Sequence, residues 1–137
     1  MAELTRLAIL GSTGSVGQQA LDVVRGLPER FRVVALAAGG NIEQLRQQAT
    51  EFAPAALCAL PSAEAEALRA EFPKSEWQSL EEIVTRDDVD VVLAASSGLA
   101  GLQATLAALR AGKKVAIANK EALVVGGAVV RAALAEG

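Results

Sequence analysis

The stretch Leu7-Ala8-Ile9-Leu10-Gly11-Ser12-Thr13-Gly14-Ser15-Val16-Gly17 decides the fold. Four consecutive apolar residues that stop at a glycine read as a strand buried on both faces, the pattern of a parallel sheet. Behind the turn, Val16, Ala20, Leu21, Val23 and Val24 recur at helical spacing as far as Arg25, and Gly26 with Pro28 supplies a stop. The glycines fall at G-x-x-G-x-x-G. Freed of side chains, such a backbone turns sharply and comes close to a diphosphate, whose charge is met by amide N–H groups and the positive end of the helix. Glycines at this spacing also serve ordinary tight turns. Their place between an apolar strand and an amphipathic helix, near the N-terminus, points to a dinucleotide.

The strand-helix unit then repeats. Residues 32–38, around Val33-Val34-Ala35-Leu36, read as a second strand running into Gly39-Gly40, and Asn41 stands at the N-cap of a helix that carries Ile42, Leu45, Ala49 and Phe52. Residues 55–60 are a third strand, and residues 63–72 an Ala/Glu-rich helix between Pro61 and Pro73. From 74 to 90 the pattern is weak: Leu80, Ile83 and Val84 suggest one short helix, Asp87-Asp88 a turn, and Trp77 a satellite packing anchor. Residues 91–95 are a fourth strand closed by Ser96-Ser97-Gly98, followed by a helix over 99–110 that stops at Gly112. Residues 113–118 make a fifth strand, and 121–135 a last helix weakened at its centre by Gly126-Gly127. Such alternation with short apolar strands argues for a doubly wound α/β fold, a mainly parallel sheet with helices on both faces.

Composition narrows the function. The chain of 137 residues sets an expectation of one domain, and at 52% hydrophobic and 21% charged it can bury a full core. A net charge of −3 with 3% aromatics lacks the positive field and stacking platforms of a nucleic-acid binder. Cys58 is the single cysteine and there is no histidine, which excludes an internal disulfide, a multi-thiolate zinc site and Ser-His or Cys-His nucleophiles. Cys58 itself reads as a small buried hydrophobe. Acid and base work falls to lysine or carboxylates. Glu64, Glu66, Arg69 and Glu71 read as solvated helix charge and Glu81-Glu82 with Asp87-Asp88 as surface charge, so no metal site is assigned. Glu3 and Arg6 interrupt the start of the chain where a secretory segment would begin, and no apolar run reaches the ~18 residues of a membrane span. A cytoplasmic location without membrane contact is expected.

Open sheets of this kind bind ligands at the carboxyl ends of their strands, near the point where strand order reverses. The second loop, Ala37-Ala38-Gly39-Gly40-Asn41, has no Asp or Glu at the position about 20 residues beyond the glycines where an NAD site holds the ribose hydroxyls. A carboxylate repels a 2′-phosphate, whereas the amides of Gly39, Gly40 and the helix start at Asn41 are suited to receive one, which favours NADP. The nearest basic residue is Arg46, one turn into the helix. Asn41 is equally a plain N-cap, and both roles can hold together. Ser96-Ser97-Gly98 is a secondary site for ribose or amide groups, or else a serine cap. Ala118-Asn119-Lys120-Glu121 closes an apolar strand with three polar groups; Lys120 suits an oxyanion or phosphate, and the alternative is a solvated helix cap.

With GSTGSVG at 11–17, LDVV at 21–24, AAGGN at 37–41 and LRAGKKVAIANKEALV at 109–124, the chain resembles the N-terminal part of the 1-deoxy-D-xylulose 5-phosphate reductoisomerase family from about Leu7 onward. The resemblance implies a Rossmann-like fold and NADPH contacts at Thr13, Gly14, Ser15 and Val16. Gly39, Gly40 and Asn41 border the 2′-phosphate, Asn119 and Glu121 face the nicotinamide side, and Lys120 meets the sugar-phosphate substrate. Many relatives carry lysine where this chain has Gly40, which leaves more of the phosphate to backbone amides. Family members use NADPH and a divalent metal, magnesium or manganese, to rearrange and reduce 1-deoxy-D-xylulose 5-phosphate to 2-C-methyl-D-erythritol 4-phosphate in non-mevalonate isoprenoid synthesis, and they are homodimers. The family's metal-binding acids, phosphate pocket and C-terminal helices follow this segment. Residues 1–137 are therefore expected to be an NADPH-binding domain, an excised or truncated piece without catalytic or metal residues of its own, binding NADPH weakly and not turning over. Two other readings are the nucleotide domain of another NADP-linked reductase, resembling homoserine or aspartate-semialdehyde dehydrogenases, and a non-catalytic dinucleotide-sensing module.

Overall fold

The apolar run of β1 (Thr5–Leu10) takes the middle of a sheet because it can be buried on both sides. Ala8, Ile9 and Leu10 are fully shielded, and the strand pairs in parallel with β2 (Phe31–Ala37) on one side and β5 (Val91–Ala94) on the other. The computed structural model describes residues 4–95 and 99–117. Within them β3 (Ala56–Cys58) and β4 (Glu76–Trp77) extend the sheet beyond β2, and β6 (Lys114–Ile117) lies beyond β5. The order is β4-β3-β2-β1-β5-β6, with every pairing parallel. The chain winds outward from β1 to β4 and then returns across β1 to start β5. Strand order therefore reverses between β1 and β5, and a crevice opens at their carboxyl ends.

Alternation along the strands distributes two cores. Ala8 and Leu10 join Ile83 and Val84 of α4 (Leu80–Val84) and Ala104 and Ala108 of α5 (Leu99–Arg110). On the other face Ile9 packs with Leu21 and Val24 of α1 (Ser15–Gly26), Leu45 and Ala49 of α2 (Ile42–Phe52), and Leu68 of α3 (Ala63–Glu71). Helices thus cover both faces, as the sequence pattern implies. Among the described residues, no helix is long and apolar enough to cross a membrane.

Three expectations need correction. The stretch over 74–90 contains β4, which the sequence reading leaves out; two residues show no periodicity, and this strand exists through its pairing with Ala56 and Leu57 at the sheet edge. Trp77 in that strand packs, partly buried, against the core beneath α1–α3, so it belongs to that core and not to a separate satellite cluster. The acids read as solvated charge do lie at the surface, several of them with partners there: Glu71 meets Arg46, Asp88 meets Arg86, and Glu82 forms a capping box with Ser79. Third, Cys58, read as a small buried hydrophobe, is only half-buried at the end of β3; burial still raises its thiol pKa, which keeps it protonated. The expected helix over 121–135 lies outside the described residues.

Candidate functional site

The glycine loop is built from its backbone outward. Gly11 has φ 83°, a left-handed conformation that favours glycine. Its N–H and that of Ser12 both donate to the carbonyl of Ala37, at 2.8 and 3.0 Å, which hooks the loop onto the end of β2. Gly14 donates to Gly11 at 3.2 Å, and the Gln18 side chain donates to the Thr13 carbonyl at 2.8 Å. Gly17 lies so close to the strand end that an added Cβ would stand 2.3 Å from the Gly11 oxygen. The third glycine of the motif is thus required by helix-to-strand packing. These bonds leave the N–H groups of Thr13, Ser15, Val16 and Gly17 without a partner among the described residues. They form a donor cluster at the positive end of α1, whose first turn holds no acidic residue.

The second loop is a similar arrangement. Asn41, at φ −84° and ψ 78°, forms a tight inverse turn in which Ile42 N–H reaches the Gly40 oxygen at 3.0 Å. Its side chain accepts from Gln44 N–H at 3.2 Å, so the N-cap role holds. The N–H groups of Gly39, Gly40 and Asn41 have no partner among the described residues. Gly39 and Gly40 are exposed, and a Cβ on either would meet no atom within 4 Å. Neither has a positive φ, so the fold itself does not demand glycine there. Arg46 is engaged by Glu43 and Glu71.

The two loops are neighbours. Ala37, which anchors Gly11 and Ser12, stands two residues before Gly39. A second tie comes from Gln48 in α2, whose Nε2 donates to the Ser12 carbonyl at 2.8 Å inside the protein. Sequence reasoning misses Gln48 because its partner is 36 positions away; the available signal is an amide side chain on the inward stripe of Ile42, Leu45 and Ala49. Thr13, Gly14, Ser15 and Val16 therefore share one edge with Gly39, Gly40 and Asn41. Gly14 is the exception in detail, since its amide already serves Gly11. On the other side of β1, Ala95 N–H donates to Leu10 at 2.9 Å, directing the chain toward the same edge. Ser96, Ser97 and Gly98, and likewise Asn119, Lys120 and Glu121, lie outside the described residues. Among the described residues no group of three or more His, Cys, Asp or Glu could hold a metal ion.

An all-parallel sheet, wound both ways from a central strand with a glycine turn at its reversal point, is the Rossmann-like class of nucleotide-binding fold. Within that class the sequence is specific. The chain belongs to the 1-deoxy-D-xylulose 5-phosphate reductoisomerase family, whose model matches residues 7–127. It is 47% identical over 137 residues to the 1-deoxy-D-xylulose 5-phosphate reductoisomerase of Symbiobacterium thermophilum, covering 93% of this chain and 35% of that one. The enzyme of that name from Anaeromyxobacter sp. strain K is 46% identical over 134 residues, covering 94% and 34%. This chain thus spans about a third of the length of these relatives. The solved structure of a DOX-P reductoisomerase with NADPH, fosmidomycin and magnesium superposes with TM-score 0.89 at 38% identity, covering 97% of this chain and 34% of that one. The Zymomonas mobilis enzyme in complex with NADPH gives 0.86 at 33% identity, covering 99% and 37%. A putative homoserine dehydrogenase from Archaeoglobus fulgidus, TM-score 0.62 at 23% identity, shares the fold alone.

Proposed function

We propose that this chain is the NADPH-binding part of an oxidoreductase that rearranges and reduces 1-deoxy-D-xylulose 5-phosphate to 2-C-methyl-D-erythritol 4-phosphate. One observation carries the coenzyme: three successive amides without a partner among the described residues, Gly39 to Asn41, close an acid-free strand end beside the similarly unpartnered amides of Thr13 and residues 15–17. The amides of Thr13 and residues 15–17 suit the diphosphate, those of Gly39 to Asn41 the 2′-phosphate. The openness of Gly39 and Gly40 fits the same group, because a ligand pressed against that turn gives a reason for glycine that the fold does not. When bound, NADPH supplies the hydride.

Family membership supports roles for the remaining polar residues as well. Asn119 and Glu121 border the nicotinamide, and Lys120 holds the sugar-phosphate as a point charge. Residues 1–137 form the NADPH-binding domain; the divalent metal and most of the substrate pocket belong to segments beyond them, in a cytoplasmic homodimer. Fluorescence titration of this chain with NADPH and NADH tests the coenzyme reading. NADPH binding the more tightly is the expected result. Equal affinities would remove the 2′-phosphate from the 39–41 loop.

A further inference from the structure

Gln48 is a polar residue in an apolar position. It is 1% exposed on a helix whose other inward residues are Ile42, Leu45 and Ala49. Its Nε2 donates to Ser12, while its Oε1 and the hydroxyl of the fully buried Ser12 have no hydrogen-bond partner among the described residues. Buried polar atoms without partners reduce stability, and an apolar side chain of similar volume would avoid that loss. The residue is therefore poorly explained by packing alone.

Its contact supplies another explanation. The carbonyl of Ser12 and the N–H of Thr13 belong to one peptide plane, and the backbone has no cis bond among the described residues. In a trans peptide these two groups point in opposite directions. By drawing the Ser12 carbonyl inward, Gln48 turns the Thr13 N–H away from the protein interior, where it meets no partner among the described residues. The Ser12 backbone is fixed from two further sides, by its own N–H on Ala37 and by Gly17, where a Cβ would come within 2.7 Å of its Cα. One buried side chain thus sets the direction of a donor at the mouth of the loop.

We propose that Gln48 is a positioning residue for dinucleotide binding, aiming the Thr13 amide at the diphosphate and tying the glycine loop to the helix that carries the 39–41 turn. The assignment rests on the NADPH reading above. It explains why an amide side chain is held at this point of the apolar stripe. Methionine fills the same space but cannot donate.

The test compares two probes on the 137-residue chain. Gln48→Met should weaken NADPH binding about tenfold and leave the affinity for adenosine 2′-monophosphate, which has no diphosphate, unchanged. A merely structural loosening of α2 would weaken both probes together and would overturn the assignment. So would an unaltered NADPH affinity. Gln47→Met, on the exposed side of the helix, should bind both probes as the unsubstituted chain does. If the unsubstituted chain itself fails to bind NADPH, the coenzyme reading falls, and the role of Gln48 with it. Should Gln48→Met lose its cooperative melt, NMR of the unsubstituted chain decides. NADPH should then shift the Thr13 amide resonance strongly and that of Ser12, engaged by Ala37, much less; an unmoved Thr13 amide refutes the proposal.

Discussion

An added methyl group on Gly17 would stand 2.3 Å from the carbonyl oxygen of Gly11, whereas one on Gly14 would lie 3.6 Å from that same atom. The two glycines of one motif thus answer to different demands. Gly17 meets rigid backbone that cannot yield, so Gly17→Ala should destabilise the domain by about 3 kcal/mol through overpacking. Gly14→Ala places its methyl at ordinary contact distance on the exposed helix start and should change stability by under about 1 kcal/mol, yet weaken NADPH binding by crowding the coenzyme. Thermal melts and NADPH titrations on both variants check this. Equal melting temperatures for the two would contradict the packing argument.

Acid should remove one tie at the amino ends of the strands, opposite the glycine loops. Arg6 Nε and Nη2 hold the two oxygens of Asp90 at 3.0 Å each, and the Arg6 backbone N–H adds a bond of 2.9 Å. These bonds, the side-chain ones foremost, bring the Asp90 carboxyl from 3.8 down to about 2. With the folded value below the unfolded one, the stabilisation is complete above about pH 4 and is lost as pH falls through about 2. The side chains are 41% and 40% exposed, so solvent screening holds the contribution to under about 1 kcal/mol. Asp90→Asn should therefore lower the melting temperature modestly at pH 6 and by less at pH near 2. A difference of the same size at both values would show that this carboxylate does not titrate as described.

How far the sequence is legible depends on where each residue's partner sits. β1, its turn and α1 can be read because burial on both faces and helical periodicity are local properties, and Gly11 to Gly17 announce their own turn. The position of both glycine loops follows from that reading. Which of their amides remain available does not, since Gly11 and Ser12 donate to Ala37, 25 or more positions away in the chain. The same distance hides Gln48, and it hides the ion pairs that join neighbouring helices, Arg25 with Glu51 and Arg46 with Glu71. These side chains show nothing until the helices are packed side by side. β4 escapes for a related reason, because a two-residue strand is defined only by its neighbour.

The end of α2 carries a strain that a single substitution should relieve. Ala53 sits in the left-handed region at φ 45° and ψ 56°, where its N–H caps the helix on the Ala49 carbonyl at 2.9 Å. A Cβ is costly in that conformation, and glycine is the usual occupant of this position. Ala53→Gly should stabilise the domain by about 0.5–1 kcal/mol, the relief of strain being partly offset by the greater freedom of glycine in the unfolded chain. Chemical denaturation of the variant should show a higher midpoint with an unchanged slope. A lower midpoint would mean that unfolded-state entropy outweighs the strain.

Gly40 offers the most direct way to place the 2′-phosphate. A side chain there meets no atom within 4 Å and is not opposed by a positive φ, so Gly40→Lys should fold as the unsubstituted chain does, with stability altered by under about 0.5 kcal/mol. The substitution puts a mobile ammonium group beside the amides of Gly39 and Asn41, which have no partner among the described residues, on a loop whose nearest cation in the following helix, Arg46, is held by Glu43 and Glu71. If the 2′-phosphate rests on this turn, the new charge acts at close range. NADPH affinity should rise about fivefold to tenfold at low salt and the gain should shrink as salt is added, while NADH, which has no such phosphate, should bind as before. Titrating both coenzymes at two ionic strengths separates the alternatives. An equal gain for both would indicate general attraction to a polyanion, and no gain for either would move the 2′-phosphate away from residues 39–41.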